Sequence, residues 1–242
     1  MKKRPYILSG LIGLAVIVMS LVNMTVFPQE SPGQIDSIGS PIIAFEFAET
    51  PEEIYTLFGA NGTPEQAAMI QAMNQGNRLD YLYMLLYSGF LFSFAVLAAR
   101  HTGKKWLYTG AALAVLAFVG DALENVQLLA ITGKLASGSF TAELARLHGL
   151  TWLKWGSLAT YFVVIGVGLW RGNGRLAKLI AITAVVTFLL GLVSFIQRGP
   201  TTEPFTLAIA VMFVLLIVFA FVYKTKEGEM GRDNADGTDL RG

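Results

Sequence analysis

Two carboxylates and an amide crowd into an otherwise apolar run: Asp121, Glu124 and Asn125, within Phe118-Val119-Gly120-Asp121-Ala122-Leu123-Glu124-Asn125-Val126. At about 3.6 residues per turn the three share one helix face. Carboxylates exchange protons, bind cations or pair with bases. Inside a bilayer a charge is costly enough to require one of these uses. Two more acids and one base stand where they can join them. Asp80 opens a second apolar run, Lys154 lies about one turn into a third, and Glu46 interrupts the apolar stretch Ile42-Ile43-Ala44-Phe45-Glu46-Phe47-Ala48.

These residues admit several chemistries. Ser157 follows Lys154 by three residues on the same helix face, the spacing of a Ser–Lys nucleophile. No Gly-rich turn lies nearby to hold an oxyanion, and His148, the one histidine close by, also fits a solvated loop position. Asp80, Asp121, Glu124 and Asn125 offer hard oxygen ligands to a metal ion. Lys154 already supplies positive charge at that depth, so no metal is expected. Carboxylates in spans also relay protons or bind ions in transporters. Here the polar residues gather in one half of the spans, and the other half is plain, as in Ala111-Ala112-Leu113-Ala114-Val115. Two uses remain: a polar pocket with an excess of acid, or an ion pair that only fixes helix register.

The elements that carry these residues are membrane spans. Of 242 residues 54% are hydrophobic and 14% charged, against about a quarter charged in soluble domains. Apolar runs at 6–27, 79–99, 106–132, 150–170, 176–197 and 205–223 are each long enough to cross about 30 Å of hydrocarbon. The exit of the first, Val22-Asn23-Met24-Thr25-Val26-Phe27, suits cleavage poorly, so an uncleaved first helix is expected. Residues 28–78 form a cap with two short helices at about 51–58 and 64–75, each opened by the same N-cap device, Thr50-Pro51-Glu52-Glu53 and Thr63-Pro64-Glu65-Gln66. The remainder, 133–149, reads as a loop, and 224–242 as a polar, disordered cytoplasmic tail. The fold class expected is an all-α integral membrane protein of six transmembrane helices (residues 1–223) with a small helical extracytoplasmic cap.

Charge fixes the orientation. Lys2, Lys3, Arg4, Arg100, Lys104, Lys105, Arg171, Arg175, Lys178, Lys224 and Lys226 fall on one side, and Arg78, Lys134, Arg146 and Arg198 on the other. The positive-inside rule puts both termini in the cytoplasm of a cell with an inner membrane. Trp106 and Trp170 then belt the inner interface, and Trp152 and Trp155 the outer one. In this topology Glu124 and Lys154 share a depth. A short connection places their helices side by side, so Lys154 is expected to meet Glu124 or Asp121, with Asp80 nearby and Glu46 folded over the top.

Absences exclude other classes. There is no cysteine, hence no disulfide or thiolate site. No phosphate loop, dinucleotide fingerprint or zinc-protease helix occurs, so no cofactor is expected. The basic residues sit in short loops against the membrane, which argues against a nucleic-acid partner. Small residues four apart, Gly89 and Ser93, Gly110 and Ala114, Thr183 and Thr187, fit close helix packing and leave an oligomer open.

Through Phe45-Glu46-Phe47-Ala48, Leu79-Asp80-Tyr81-Leu82 and Gly120-Asp121-Ala122-Leu123-Glu124-Asn125, the chain resembles a set of bacterial multi-pass membrane proteins without an established activity. The likeness spans about residues 42–169 and transfers no function. From the residues themselves, an outward-facing pocket of Glu46, Asp80, Asp121, Glu124, Asn125 and Lys154 is expected to bind a lipid headgroup or small amphiphile. The alternatives are a structural or partner-binding protein and, further off, an ion or solute transporter; enzymatic activity is left open.

Overall fold

The computed structural model describes residues 4–36, 38–170 and 174–224. Lys2, Lys3, Arg171, Lys226 and the tail after residue 224 lie outside the described residues. Eight α-helices occur among those described: α1 (Ile7–Val26), α2 (Pro41–Glu46), α3 (Pro51–Phe58), α4 (Pro64–Thr102), α5 (Tyr108–Lys134), α6 (Thr141–Trp170), α7 (Arg175–Ile196) and α8 (Thr202–Val222). The fold is all-α, and α1, α4, α5, α6, α7 and α8 are long and apolar enough to cross a membrane.

Two boundaries differ from the hydropathy reading. The expected short helix at 64–75 is the start of α4, which runs 39 residues without a break. The Thr63 hydroxyl accepts from the Gln66 N–H at 3.2 Å and starts it, and Gly103 in the left-handed region ends it. Nothing between Gln75 and Leu79 stops a helix; hydropathy marks where apolar surface ends, and helix hydrogen bonding does not end with it. Likewise α6 begins at Thr141, inside the segment read as a loop. Glu143 in its first turn meets the positive end of the helix dipole and accepts from Lys134 at 2.9 Å. The connection between α5 and α6 shrinks to a 3₁₀ turn, Leu135–Ser137, closed by Gly138 at φ +69°.

The six long helices pack in chain order as a ring, α1–α4–α5–α6–α7–α8, and α8 returns to α1. Small residues set the closest approaches. A Cβ on Gly120 would stand 2.8 Å from the Lys154 backbone nitrogen, so α5 and α6 touch backbone to backbone there. A Cβ on Gly166 would stand 3.0 Å from Ala181 Cα, which locks α6 to α7. Gly13 admits the Ile217 side chain where α1 meets α8. The repeats read as packing motifs divide: Gly110 packs against Ala95 and Ile165, whereas Gly89 meets nothing within 4 Å.

Two apolar cores result. One fills the ring, with Phe90, Phe94, Tyr161, Phe162 and Phe213 at its centre. The other lies in the cap, where Phe45, Ile54, Leu57 and Phe58 meet Met73 of α4, Leu128 and Ile131 of α5, and Leu144 and Leu147 of α6. The cap is thus anchored by the overhanging ends of three spanning helices. The α3 N-terminus is a capping box, Thr50 with Glu53. Arg198, between α7 and α8, straps the cap to the ring: it pairs with Glu53, donates to Asp36 Oδ2 at 2.8 Å and to the Phe47 carbonyl at 2.6 Å. Glu203 of α8 accepts from the Gly39 and Ser40 N–H groups, both at 2.8 Å.

Candidate functional site

Under the cap, α5 and α6 press together at Gly120, and this approach brings Lys154 onto the acid-bearing face of α5. The Lys154 ammonium pairs with Glu124, sits 2.9 Å from Glu46 Oε2 and 3.3 Å from Asp121 Oδ1. An ammonium has three N–H donors and no acceptor, and here three carboxylates surround it. All four groups are buried. Each carboxylate has further support. Thr151 Oγ1 lies 2.5 Å from Glu124 Oε1 and 2.9 Å from the Glu46 carbonyl oxygen. Trp155 Nε1 donates to Glu46 at 3.0 Å, and the Tyr87 hydroxyl donates to Asp121 Oδ2 at 2.7 Å. Burial pushes the Glu46 carboxyl up from the usual carboxylate range and the Asp121 charge adds to this, against the opposing pull of Lys154.

A second cluster adjoins the first. Asp80 of α4 accepts from Asn23 of α1 at 3.3 Å and from Asn125 of α5 at 3.0 Å. Asn125 also donates to the Asn77 carbonyl at 3.1 Å. Among the described residues no base lies in ion-pair range of Asp80. Its side chain is partly open, and the opening is a cavity of about 490 Å³, within the roughly 300–1,000 Å³ usual for small-molecule sites.

The cavity lining combines polar and apolar side chains. Asn23, Asn77, Asp80, Asp121, Asn125 and Lys154 supply polar groups; Met24, Leu158, Ile209, Ala210 and Phe213 supply apolar surface, with Glu46 and Ile42–Ile43 of α2 also in the lining. Its lining is exposed in two places: at Met24 of α1, 62% exposed, and Ala210 of α8, and at Gln29 and Gly39 in the segment between α1 and α2. α1 and α8 close against each other at Gly10 and Gly13, toward their other ends. Beyond the cavity, buried Phe90, Phe94 and Phe162 fill the ring.

All six residues singled out from the sequence come together. Lys154 meets both acids proposed for it, and Glu46 does fold over the top. Two details differ. Glu124 is fully sealed and does not line the cavity, whereas Asp80 does. Trp155, read as an interfacial belt residue, points inward: it packs on Phe47 and Phe205, holds Glu46, and lies 5.0 Å beneath the Lys154 ammonium. The Ser–Lys arrangement does not form, because the Lys154 donors are directed at carboxylates and no hydrogen bond joins Lys154 to Ser157. A lysine held as an ammonium by three acids is no general base. His148 stays exposed, 3.7 Å from Glu49 Oε1. Of the carboxylates offered as metal ligands, Asp121 and Glu124 meet Lys154 and Asp80 does not; among the described residues no group of three or more acids or histidines is placed to hold an ion.

Sequence reasoning missed Asn23, Asn77 and Thr151. Asn23 carried a signal, as the one amide within the first apolar run; its target could not be read without knowing that α1 lies beside α4. No family profile, no curated protein and no solved structure matches the chain.

Proposed function

We propose that this is a ligand-binding protein of a bacterial-type cytoplasmic membrane, whose cavity takes the polar head of a lipid or small amphiphile entering sideways between α1 and α8. The exposed lining residues Met24 and Ala210, on the neighbouring helices α1 and α8, carry this reading. A head drawn from the bilayer meets buried polar groups, while its tail stays against Met24, Ile209 and Ala210 at lipid level. The packed aromatic layer beyond the cavity favours a bound ligand over a solute in transit.

Both termini lie inside and the cap outside. Arg4, Arg100, Lys104, Lys105, Arg175, Lys178 and Lys224 sit at the helix ends opposite the cap, as the positive-inside rule requires of a cytoplasmic face. Three of the four bases on the cap side are already matched by acid: Lys134 and Arg146 by Glu143, and Arg198 by Glu53. The resemblance through the Phe-Glu-Phe-Ala, Leu-Asp-Tyr-Leu and Gly-Asp-Ala-Leu-Glu-Asn motifs supports a bacterial membrane.

The test is native mass spectrometry of protein released from lipid nanodiscs, wild type beside Ala210→Trp. Wild type is expected to retain one lipid or amphiphile, and Ala210→Trp, which plugs the mouth without touching the charged cluster, to lose it. Equal retention by both would contradict the reading.

A second reading has its own observation. Lys154 joins α2, α5 and α6 through Glu46, Asp121 and Glu124, and such a hub also serves as a packing device that fixes helix register. It is favoured if Ala210→Trp changes nothing while Lys154→Met unfolds the cap.

A further inference from the structure

We infer that the head group selected by this cavity is a protonated primary amine, with Asp80 as its counter-ion. This rests on the proposed binding function and names the ligand class for it.

The first observation is the charge balance. Four carboxylates, Glu46, Asp80, Asp121 and Glu124, adjoin one ammonium, and Lys154 is engaged with all but Asp80. Asp80 is held by two amide N–H groups and by no cation among the described residues. A carboxylate at a cavity wall inside a membrane calls for a positive partner.

The second observation is independent of charge. Three of the residues that line the cavity hold four buried side-chain atoms without a hydrogen-bond partner: Asn23 Oδ1, Asn77 Oδ1, Asn77 Nδ2 and Asp121 Oδ1. Asp121 Oδ1 is within ion-pair range of Lys154 but receives no hydrogen bond from it. Asn23, Asn77 and Asp121 are each at least nine-tenths buried. Buried polar atoms left unpaired are costly, about 1–3 kcal/mol each, and a ligand that satisfies them gains that difference. Three of the four are acceptors. The complement of three acceptors and one free carboxylate is a cation rich in N–H donors, which describes a primary ammonium with its three. A quaternary ammonium matches the charge and leaves the acceptors empty. A sulfate or phosphate alone adds negative charge to an acid-rich wall. The apolar side chains of the lining, Met24, Leu158, Ile209 and Ala210 among them, supply the tail site, so the ligand is an amine with a hydrocarbon chain.

Dodecylamine, dodecyltrimethylammonium, dodecanol and dodecyl sulfate share one tail and differ in the head. Each is titrated by calorimetry into the full-length protein in zwitterionic phosphocholine nanodiscs, with the Ala210→Trp protein as the reference for plain partitioning. Dodecylamine is expected to bind saturably and at least tenfold more tightly than the other three. Asp80→Asn, which keeps size and polarity, is expected to weaken dodecylamine at least tenfold and leave dodecanol unchanged. Equal affinity for all heads, or preference for the sulfate, would overturn the amine assignment and leave the cavity reading standing. Saturable binding of none above the reference would overturn both. The ranking of heads on the wild-type protein needs no variant, so it decides the matter even if Asp80→Asn fails to fold. An ethanolamine lysophospholipid added to the series separates the sources: binding as tight as dodecylamine assigns a phospholipid head, and weaker binding assigns a free amphiphilic amine. Either result supports the ammonium.

Discussion

Two clusters in this protein share a composition and differ in everything else. Around Arg198, one base faces Asp36 and Glu53; around Lys154, one base faces Glu46, Asp121 and Glu124. The Arg198 cluster lies at the cap edge, where Asp36 is 46% exposed and water answers any charge left over. The planar guanidinium spreads its donors over two carboxylates and a carbonyl and so works as a strap. The Lys154 cluster is buried, and its Glu46, Asp121 and Lys154 share a cavity lining with Asp80. Charge left over there meets far less solvent than at the cap edge. One base among acids makes a latch at an edge and a buried cluster beside a cavity in the interior. Burial and access decide between them.

That contrast can be broken or sharpened by substitution. The largest effect is expected for Lys154→Met, which strands three buried carboxylates. Removing one partner of a buried pair costs about 3–5 kcal/mol, read as a lowered unfolding midpoint in mild detergent. Adding Glu124→Gln should recover part of the loss. No loss in the single variant would mean that the acids are protonated and the hub is uncharged.

Next comes the contact that creates the cluster. Gly120→Ala puts a methyl 2.8 Å from the Lys154 backbone nitrogen. Backbone cannot swing aside as a flexible side chain can, so overpacking of about 1–3 kcal/mol is expected. Gly89→Ala meets nothing within 4 Å and should leave thermal stability unchanged or slightly raised. Equal effects at the two glycines would show that α5 and α6 do not meet so closely.

Arg198→Ala should cost less, about 1 kcal/mol, as a cluster reached by water does. Its effect should be local: faster amide hydrogen exchange in α3, with α5 and α6 unchanged. Exchange that quickens along α5 and α6 as well would make the strap part of the global fold.

The smallest expected effect is one of pH. Burial would raise the Glu53 carboxyl, but hydrogen bonds from Arg198 and from the Glu49 and Thr50 N–H groups outweigh it and hold Glu53 below its ordinary value. A carboxyl depressed in the folded state adds stability that is fully present above its unfolded value, about 4.3, and is lost as pH falls through the lower folded value. Amide protection in α3 should therefore decline only below about pH 4, and Glu53→Gln should flatten that decline. Protection that falls on the alkaline side instead would contradict the sign.

Much of the architecture was legible because a bilayer imposes a length and a hydropathy that six runs satisfy. The Lys154–Glu124 pairing was legible too, since the short connection after α5 forces α6 to lie alongside it. The cavity between the first and last spans was not legible. It depends on α8 returning to α1 from the other end of the chain, and no local pattern encodes a contact of that range. Nor was the inward turn of Trp155, whose partner Glu46 lies 109 residues away. The unbroken course of α4 was hidden for a different reason: Gly76-Asn77-Arg78 is polar, and polarity alone does not end a helix. The most sealed acid, Glu124, stood out in the sequence. Asp80, a cavity acid without a base in ion-pair range, stood out less, at the margin of its apolar run.

The most direct measurement is a structure of the protein in a native-lipid nanodisc, resolved well enough to show head groups. Elongated density is expected in the cavity, with its head in hydrogen-bonding range of Asp80, Asn23 and Asn77 and its tail passing between Met24 and Ala210 into the bilayer. A cavity holding only water-sized peaks, with α1 and α8 closed at the mouth, would contradict a ligand-binding role and leave the Lys154 cluster as a packing device.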